Sequence, residues 1–322
     1  MEIRKKQPLS EKLKNENVVM TALIIAAVII LSIVIPQFMT VGNIFNLFTQ
    51  ASVIGLPAIG LTFIIITAGI DLSLPTNMAC SAILGCTVME KTQNTVLGVF
   101  SILFFAVLFG CISGLSVSVL KMVPMIVTLA VQTLNVGISD YVTQGSSIGN
   151  LPGSFSKFFA KSVGGIIPVS VIIFVIIAVI MHYVLTKTVF GRQLFQTGIN
   201  EKAARVNGVN TTKILFSIYV IGGLMAGING VLTAARLNSA GSTMGPVSAF
   251  NNIVCACVLG GASVWGGKGT IVGTVIGSIV MALITNVMNL MNIDFFATYV
   301  VKGIIIILVC YLDVVRNREK EK

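Results

Sequence analysis

Long apolar runs broken by short polar punctuation dominate this chain. No ionisable residue occurs between Glu16 and Asp71, between Thr92 and Leu120, or between Leu237 and Gly267. A transmembrane helix needs about 20 mainly apolar residues, so each of these windows holds one or two spans. The pattern predicts spans near 18–36, 48–69, 73–90, 97–119, 122–143 and 166–186. A polar interruption follows over 187–213, and further spans are predicted near 214–235, 247–265, 270–290 and 295–313. The expected fold is an all-α polytopic membrane protein of about ten transmembrane helices. Several are interrupted by Gly or Pro and read as broken or half-helices. Ile66 to Met89 also lies over Val258 to Met281 without gaps, pairing Gly69 with Gly261 and Gly85 with Gly277, which suggests an internal repeat.

Composition strengthens this reading. Only 10% of the 322 residues are charged and 55% are hydrophobic, against about 25% charged in soluble domains. The net charge of +10 is not spread over a face that could hold nucleic acid. It sits in three clusters: Arg4, Lys5, Lys6, Lys12 and Lys14; Lys187, Arg192, Lys202, Arg205 and Lys213; and Arg316, Arg318, Lys320 and Lys322. Such clusters beside spans belong in the cytoplasm. Six passes and then four satisfy all three, so both termini are expected inside. The basic N-terminus and the apolar run from Val18 resemble a signal peptide, but Pro36-Gln37-Phe38-Met39 stands where a small-residue cleavage site is needed, so a retained span is expected.

Candidate chemistry is sparse. The cysteines Cys80, Cys86, Cys111, Cys255, Cys257 and Cys310 all fall in apolar segments. Cys255 and Cys257 point to different sides of a helix, and His182 is the single histidine, so no metal site is expected. The stretch Gly261-Ala-Ser-Val-Trp-Gly-Gly-Lys268-Gly269 lacks the spacing and the Ser or Thr of a phosphate-binding loop. Asp71 is an acidic group between apolar segments. It reads either as part of a transport pathway or, with Ser73 and Pro75, as a helix start. Asp140 and Asp294 lie near span ends and carry less. Thr62, Thr67, Ser73, Asn77, Asn251 and Asn252 offer donors and acceptors suited to a neutral hydroxyl-rich solute, or simply join helices. In the polar interruption, Asn200 is a good cap, Glu201 lies in the first turn, Arg205 in the last, and Gly208 ends a short helix. Ala203 and Ala204 give that helix a low profile, fit for a groove on a partner or for the lipid surface.

Three blocks carry a family resemblance. They are Gly60-Leu-Thr62-Phe-Ile-Ile-Ile-Thr67-Ala-Gly69-Ile-Asp71-Leu-Ser73, the segment Gly191-Arg192 through Gly198-Ile-Asn200-Glu201-Lys-Ala203-Ala204-Arg205-Val-Asn-Gly208-Val-Asn210, and Val258-Leu-Gly260-Gly261-Ala-Ser263-Val-Trp-Gly266-Gly267-Lys268-Gly269-Thr270. Over roughly 40–315 the chain resembles the permease family of ribose-type sugar ABC importers, which shares ancestry with branched-chain amino acid permeases. The resemblance implies a bacterial cytoplasmic membrane, a homodimer or paired permease, a cytoplasmic ABC ATPase and an external solute-binding protein. It also implies no enzyme activity and no cofactor in this chain, with ATP and Mg hydrolysed by the partner ATPase. The coupling role falls on Asn200, Glu201, Ala203, Ala204, Arg205 and Gly208. The domains are then a basic N-terminus (1–17), a permease domain (18–313) containing the coupling segment 187–213, and a basic tail (314–322). Leu74-Pro75-Thr76-Asn77 and Ala249-Phe250-Asn251-Asn252 depart from the family's pattern near the expected pathway, so the solute class stays open. A monosaccharide is expected, with a nucleoside, a branched-chain amino acid or an ion-coupled carrier as alternatives.

Overall fold

In the computed structural model, residues 28–307 are described except 166, 295, 299, 305 and 306. Both basic termini, most of the first expected span, the end of the last one and Cys310 lie outside the described residues. The labelled helices are α1 (Val41–Ile66), α2 (Leu74–Thr92), α3 (Thr95–Ser118), α4 (Pro124–Thr143), α5 (Gly153–Phe159), α6 (Val169–Lys187), α7 (Val189–Ile199), α8 (Glu201–Val206), α9 (Thr211–Leu237), α10 (Ala249–Leu259) and α11 (Ile271–Leu290). A short hairpin, Ser162–Val163 with Ile167–Pro168, precedes α6. Seven helical segments among the described residues are long and apolar enough to cross a membrane. The chain is a multi-pass all-α membrane protein.

The helices sort into a buried centre and an apolar rim. Helix α1 is buried along most of its length against α9, α11, α10 and α6. Helices α3, α4 and α6 turn large apolar side chains outward, among them Phe100, Phe104, Ile126 and Val179. That is the surface lipid requires, since a water-facing protein rarely exposes so continuous an apolar face. A close central seam joins α3 to α9. A Cβ on Gly110 would lie 2.7 Å from the Tyr219 carbonyl oxygen, and one on Gly223 would lie 3.1 Å from the Gly110 Cα. Only small residues allow two helix backbones to approach so closely.

Hydrogen bonds identify the two ends of the bundle. At the basic end, the α3–α4 turn meets α8 through Lys121 and Glu201. At the opposite end, Gln93 donates to the Asn150 carbonyl and Ser156 Oγ lies 2.6 Å from Asn238 Oδ1. There, Ile148 and Ala240 also form an isolated bridge.

The spans expected between 48 and 235 and near 270–290 fall on described helices, with informative shifts. Helix α1 begins at Val41 rather than near 48. The added turns include Asn43, whose amide and that of Asn286 on α11 exchange bonds of 3.1 and 2.7 Å. The span expected over 247–265 shrinks to the 11 residues of α10, about 16 Å of helix, or half of a bilayer core. Helix α2 also starts within the bundle. Its Asn77 donates to the Ala106 carbonyl, halfway along α3, at 3.1 Å. The chain therefore turns at Thr67–Ser73 within the bundle, and helices stop short at two places.

Candidate functional site

The polar interruption folds as two helices rather than one. Thr188 caps α7 by accepting the Gly191 N–H, and Asn200 caps α8 by accepting the Ala203 N–H at 3.0 Å. The C-terminus of α8 closes as a Schellman turn. Gly208 donates to the Arg205 carbonyl and Val209 to the Ala204 carbonyl, both at 3.0 Å, with Gly208 at φ +82°. The hydrophobic contact that accompanies such a turn requires Ala204 and Val209 to face inward, and both are buried.

This corrects the expectation that both alanines face a partner. Ala203 is exposed, whereas Ala204 is only 2% exposed. The outward face carries Lys202, Ala203 and Val206, with Ile199 just before the helix. Val206 is 87% and Ile199 74% exposed.

A polar cluster ties α8 to the spans. The Glu201 carboxylate accepts from Arg205 and, at 3.2 Å, from Thr211 Oγ1, and lies 3.5 Å from Lys121 Nζ. Arg205 Nε also donates to Thr211 Oγ1 at 2.9 Å. Partial burial pushes the Glu201 carboxyl up. The Arg205 and Thr211 hydrogen bonds and the Lys121 charge outweigh it, holding the group below its usual range. A lowered carboxyl pKa adds stability that is present above the unfolded value and lost as pH falls through the folded one. Amide protection factors across 200–211 should therefore be highest at neutral pH and fall in acid, below about pH 4. Glu201→Gln should flatten that dependence. The side chain is 41% exposed, so screening keeps the effect under about 1 kcal/mol.

The α7–α8 unit rests on the end of α1. A Cβ on Gly198 would strike the Ile66 carbonyl oxygen, which also accepts the Gly267 N–H at 2.8 Å from the α10–α11 turn. Three segments from distant parts of the chain thus meet at one carbonyl. Trp265, in the same turn, is 75% exposed.

The residues expected along a pathway have distinct partners. Thr62 is buried at the α1–α11 contact, donating to the Ala58 carbonyl and meeting Thr274 Oγ1 at 2.6 Å. Thr67 bonds back to the Ile64 carbonyl. Asp71 is 2% exposed, and its Oδ1 accepts the Ser73 N–H at 2.9 Å and the Ser73 hydroxyl at 2.6 Å. Asp71, Ser73 and Asn77 gather at the start of α2, whereas Asn251 (exposed) and Asn252 (half-buried) stand apart on α10. Tyr219, near Asp71 on α9, has a buried hydroxyl with no hydrogen-bond partner among the described residues. Lys302, beside Cys255 in the last helical stretch, was not singled out in the sequence. Its signal was available, because a lysine inside a predicted span is unusual.

A profile of the family described as branched-chain amino acid transport system / permease component matches residues 43–310. The chain is 38% identical to the ribose import permease protein RbsC of Bacillus subtilis (strain 168), over 89% of each chain. It is 32% identical to the L-arabinose transport system permease protein AraH of Escherichia coli (strain K12), over 93% of this chain and 91% of that one. The ribose import permease protein RbsC of the same Escherichia coli strain is also 32% identical, over 90% and 91%. No solved structure matches the chain.

Proposed function

This chain belongs to the family of branched-chain amino acid transport system permease components, and we propose that it carries a monosaccharide into the bacterial cytoplasm. It is a non-enzymatic permease subunit of an ABC importer. The full-length similarity to ribose and L-arabinose permeases favours a pentose-sized sugar over an amino acid or nucleoside. An external binding protein delivers the sugar, a second permease completes the membrane unit, and cytoplasmic ATPases bind and hydrolyse ATP with Mg. The basic end, with both termini, faces the cytoplasm.

One observation carries the coupling role: an outward apolar face on a small helix that is firmly seated on the spans. Val206 and Ile199 are exposed at the basic end, while Asn200, Glu201, Arg205 and Gly208 fix α8 in place and Ala204 seats it. Exposed apolar side chains beside basic ones fit a protein groove, with a few buried anchors supplying most of the energy. An ATPase that moves this helix also moves the end of α1, because Gly198 lies against Ile66.

Ala204 is a poor probe of that contact, since a bulky residue there would unseat the helix itself. Val206→Glu tests the surface alone. In proteoliposomes containing the permease, its ATPase and its binding protein, uptake of ribose should require ATP. Val206→Glu should lower uptake by more than about tenfold with the permease still inserted, because an unpaired charge is driven into an apolar contact. Uptake driven by a proton gradient without the ATPase, or full activity in Val206→Glu, would overturn the assignment.

A further inference from the structure

A cavity of about 250 Å³ opens between α2, α4 and the irregular stretch that follows α9. Its wall brings together Thr76 of α2, Ser139 and Asp140 of α4, and Ser242 and Thr243 of the 3-10 turn Ser242–Met244. These residues come from three separated parts of the sequence. Backbone packing assembles them: a Cβ on Gly245 would strike the Pro75 carbonyl oxygen, so the 3-10 stretch is pressed onto the first turn of α2. Both walls lie where a helix stops short within the bundle, at the start of α2 and before the half-length α10. In transporters, discontinuous helices of this kind mark solute sites.

Asp140 gives the cavity its character. The side chain is exposed and forms no ion pair or side-chain hydrogen bond among the described residues. It also sits in the last turn of α4, where the helix dipole disfavours negative charge. The carboxylate thus contributes nothing visible to the fold, and both oxygens are free to accept. Around it are four hydroxyls able to accept; that of Thr76 already donates to the Ser73 carbonyl at 2.9 Å, and that of Ser139 lies within hydrogen-bond reach of Cys80. The space equals roughly eight water volumes at about 30 Å³ each, enough for one monosaccharide ring.

We propose that this cavity is a solute-binding site for a neutral polyhydroxylated ring. Asp140 accepts hydrogen bonds from a vicinal diol, and Thr76, Ser139, Ser242 and Thr243 complete the shell. The site lies towards the end opposite the coupling segment, where an imported solute first meets the bundle. The inference rests on the importer reading and names the part of the chain that handles the sugar. A negative carboxylate with no cation beside it repels phosphorylated sugars and favours uncharged ones.

The test uses the complete importer in proteoliposomes with ribose as the probe. Asp140→Asn keeps the shape and removes the charge, and should raise the KM for ribose-loaded binding protein at least tenfold, with the permease still inserted at wild-type membrane yield. Thr243→Cys should react with a membrane-impermeant maleimide, above the background of the unsubstituted chain. Ribose during turnover should slow that reaction at least threefold, and should fail to do so when Asp140→Asn is added. Asp140→Asn with wild-type KM, or labelling indifferent to ribose, overturns the site while ATP-driven uptake by the unsubstituted chain keeps the importer reading intact. Protection by leucine in place of ribose overturns the polyol assignment. If the unsubstituted chain shows no ATP-driven uptake of ribose, the importer reading itself fails.

Discussion

Gly198→Val should cut ATP-driven uptake at least about tenfold while the spans remain folded. The added Cβ would fall on the Ile66 carbonyl oxygen, with the Gly267 nitrogen only 3.2 Å away. Both obstacles are backbone, so no rotamer change relieves them. Overpacking of this kind costs about 1–3 kcal/mol, enough to lift α7 and α8 from the end of α1 and break the Gly267 to Ile66 hydrogen bond. The ATPase would then move a helix no longer connected to the pathway. Uptake should drop by at least about tenfold, with ATP hydrolysis continuing and membrane yield close to wild type. Gly42→Ala is the control, since nothing lies within 4 Å of its added carbon. Wild-type uptake in Gly198→Val would show that the contact with α1 transmits nothing.

Asp71→Leu should remove the protein from the membrane rather than merely slow it. The substitution leaves the Ser73 N–H and hydroxyl without their acceptor at 2% exposure. Each unsatisfied buried donor costs about 1–3 kcal/mol, and lipid offers no water as a substitute. The start of α2 would unravel inside the bundle, and the thermal midpoint in detergent should fall by several degrees, with a matching loss of yield. Asp71→Asn retains an oxygen in the same position and should keep both yield and uptake within about twofold of wild type. A stable Asp71→Leu protein would refute the capping role. Normal yield with no uptake in Asp71→Asn would assign the charge to transport instead.

These two sites show what local sequence can reveal. The spans were legible because each needs only about 20 apolar residues, a requirement met within one window. The cap at Asn200 and the stop at Gly208 were legible for the same reason: a cap acts over three or four residues. What failed to show depends on distant partners. The start of α1 was placed too late because Asn43, which belongs to it, is satisfied by Asn286, in a helix near the other end of the chain. Ala204 read as a surface residue because a six-residue helix has no apolar period long enough to mark its inner face, which Val209 and the Schellman turn decide. Thr62 read as a pathway residue because its match, Thr274, is 212 positions away. Asp140 was visible but undervalued. Depth could be counted along the chain, but its convergence with Ser242 and Thr243 could not.

The glycine seam between α3 and α9 has a mechanical consequence. Backbones about 3 Å from the nearest added carbon interlock like gear teeth, and sliding one helix past the other by a single turn would drive side chains into peptide groups. That pair must travel as one rigid body when access switches sides. Bending then falls to stretches outside the α-helices, such as Thr67–Ser73 and 238–248. The second of these also walls the Asp140 cavity, so a bend there reshapes the space around the solute.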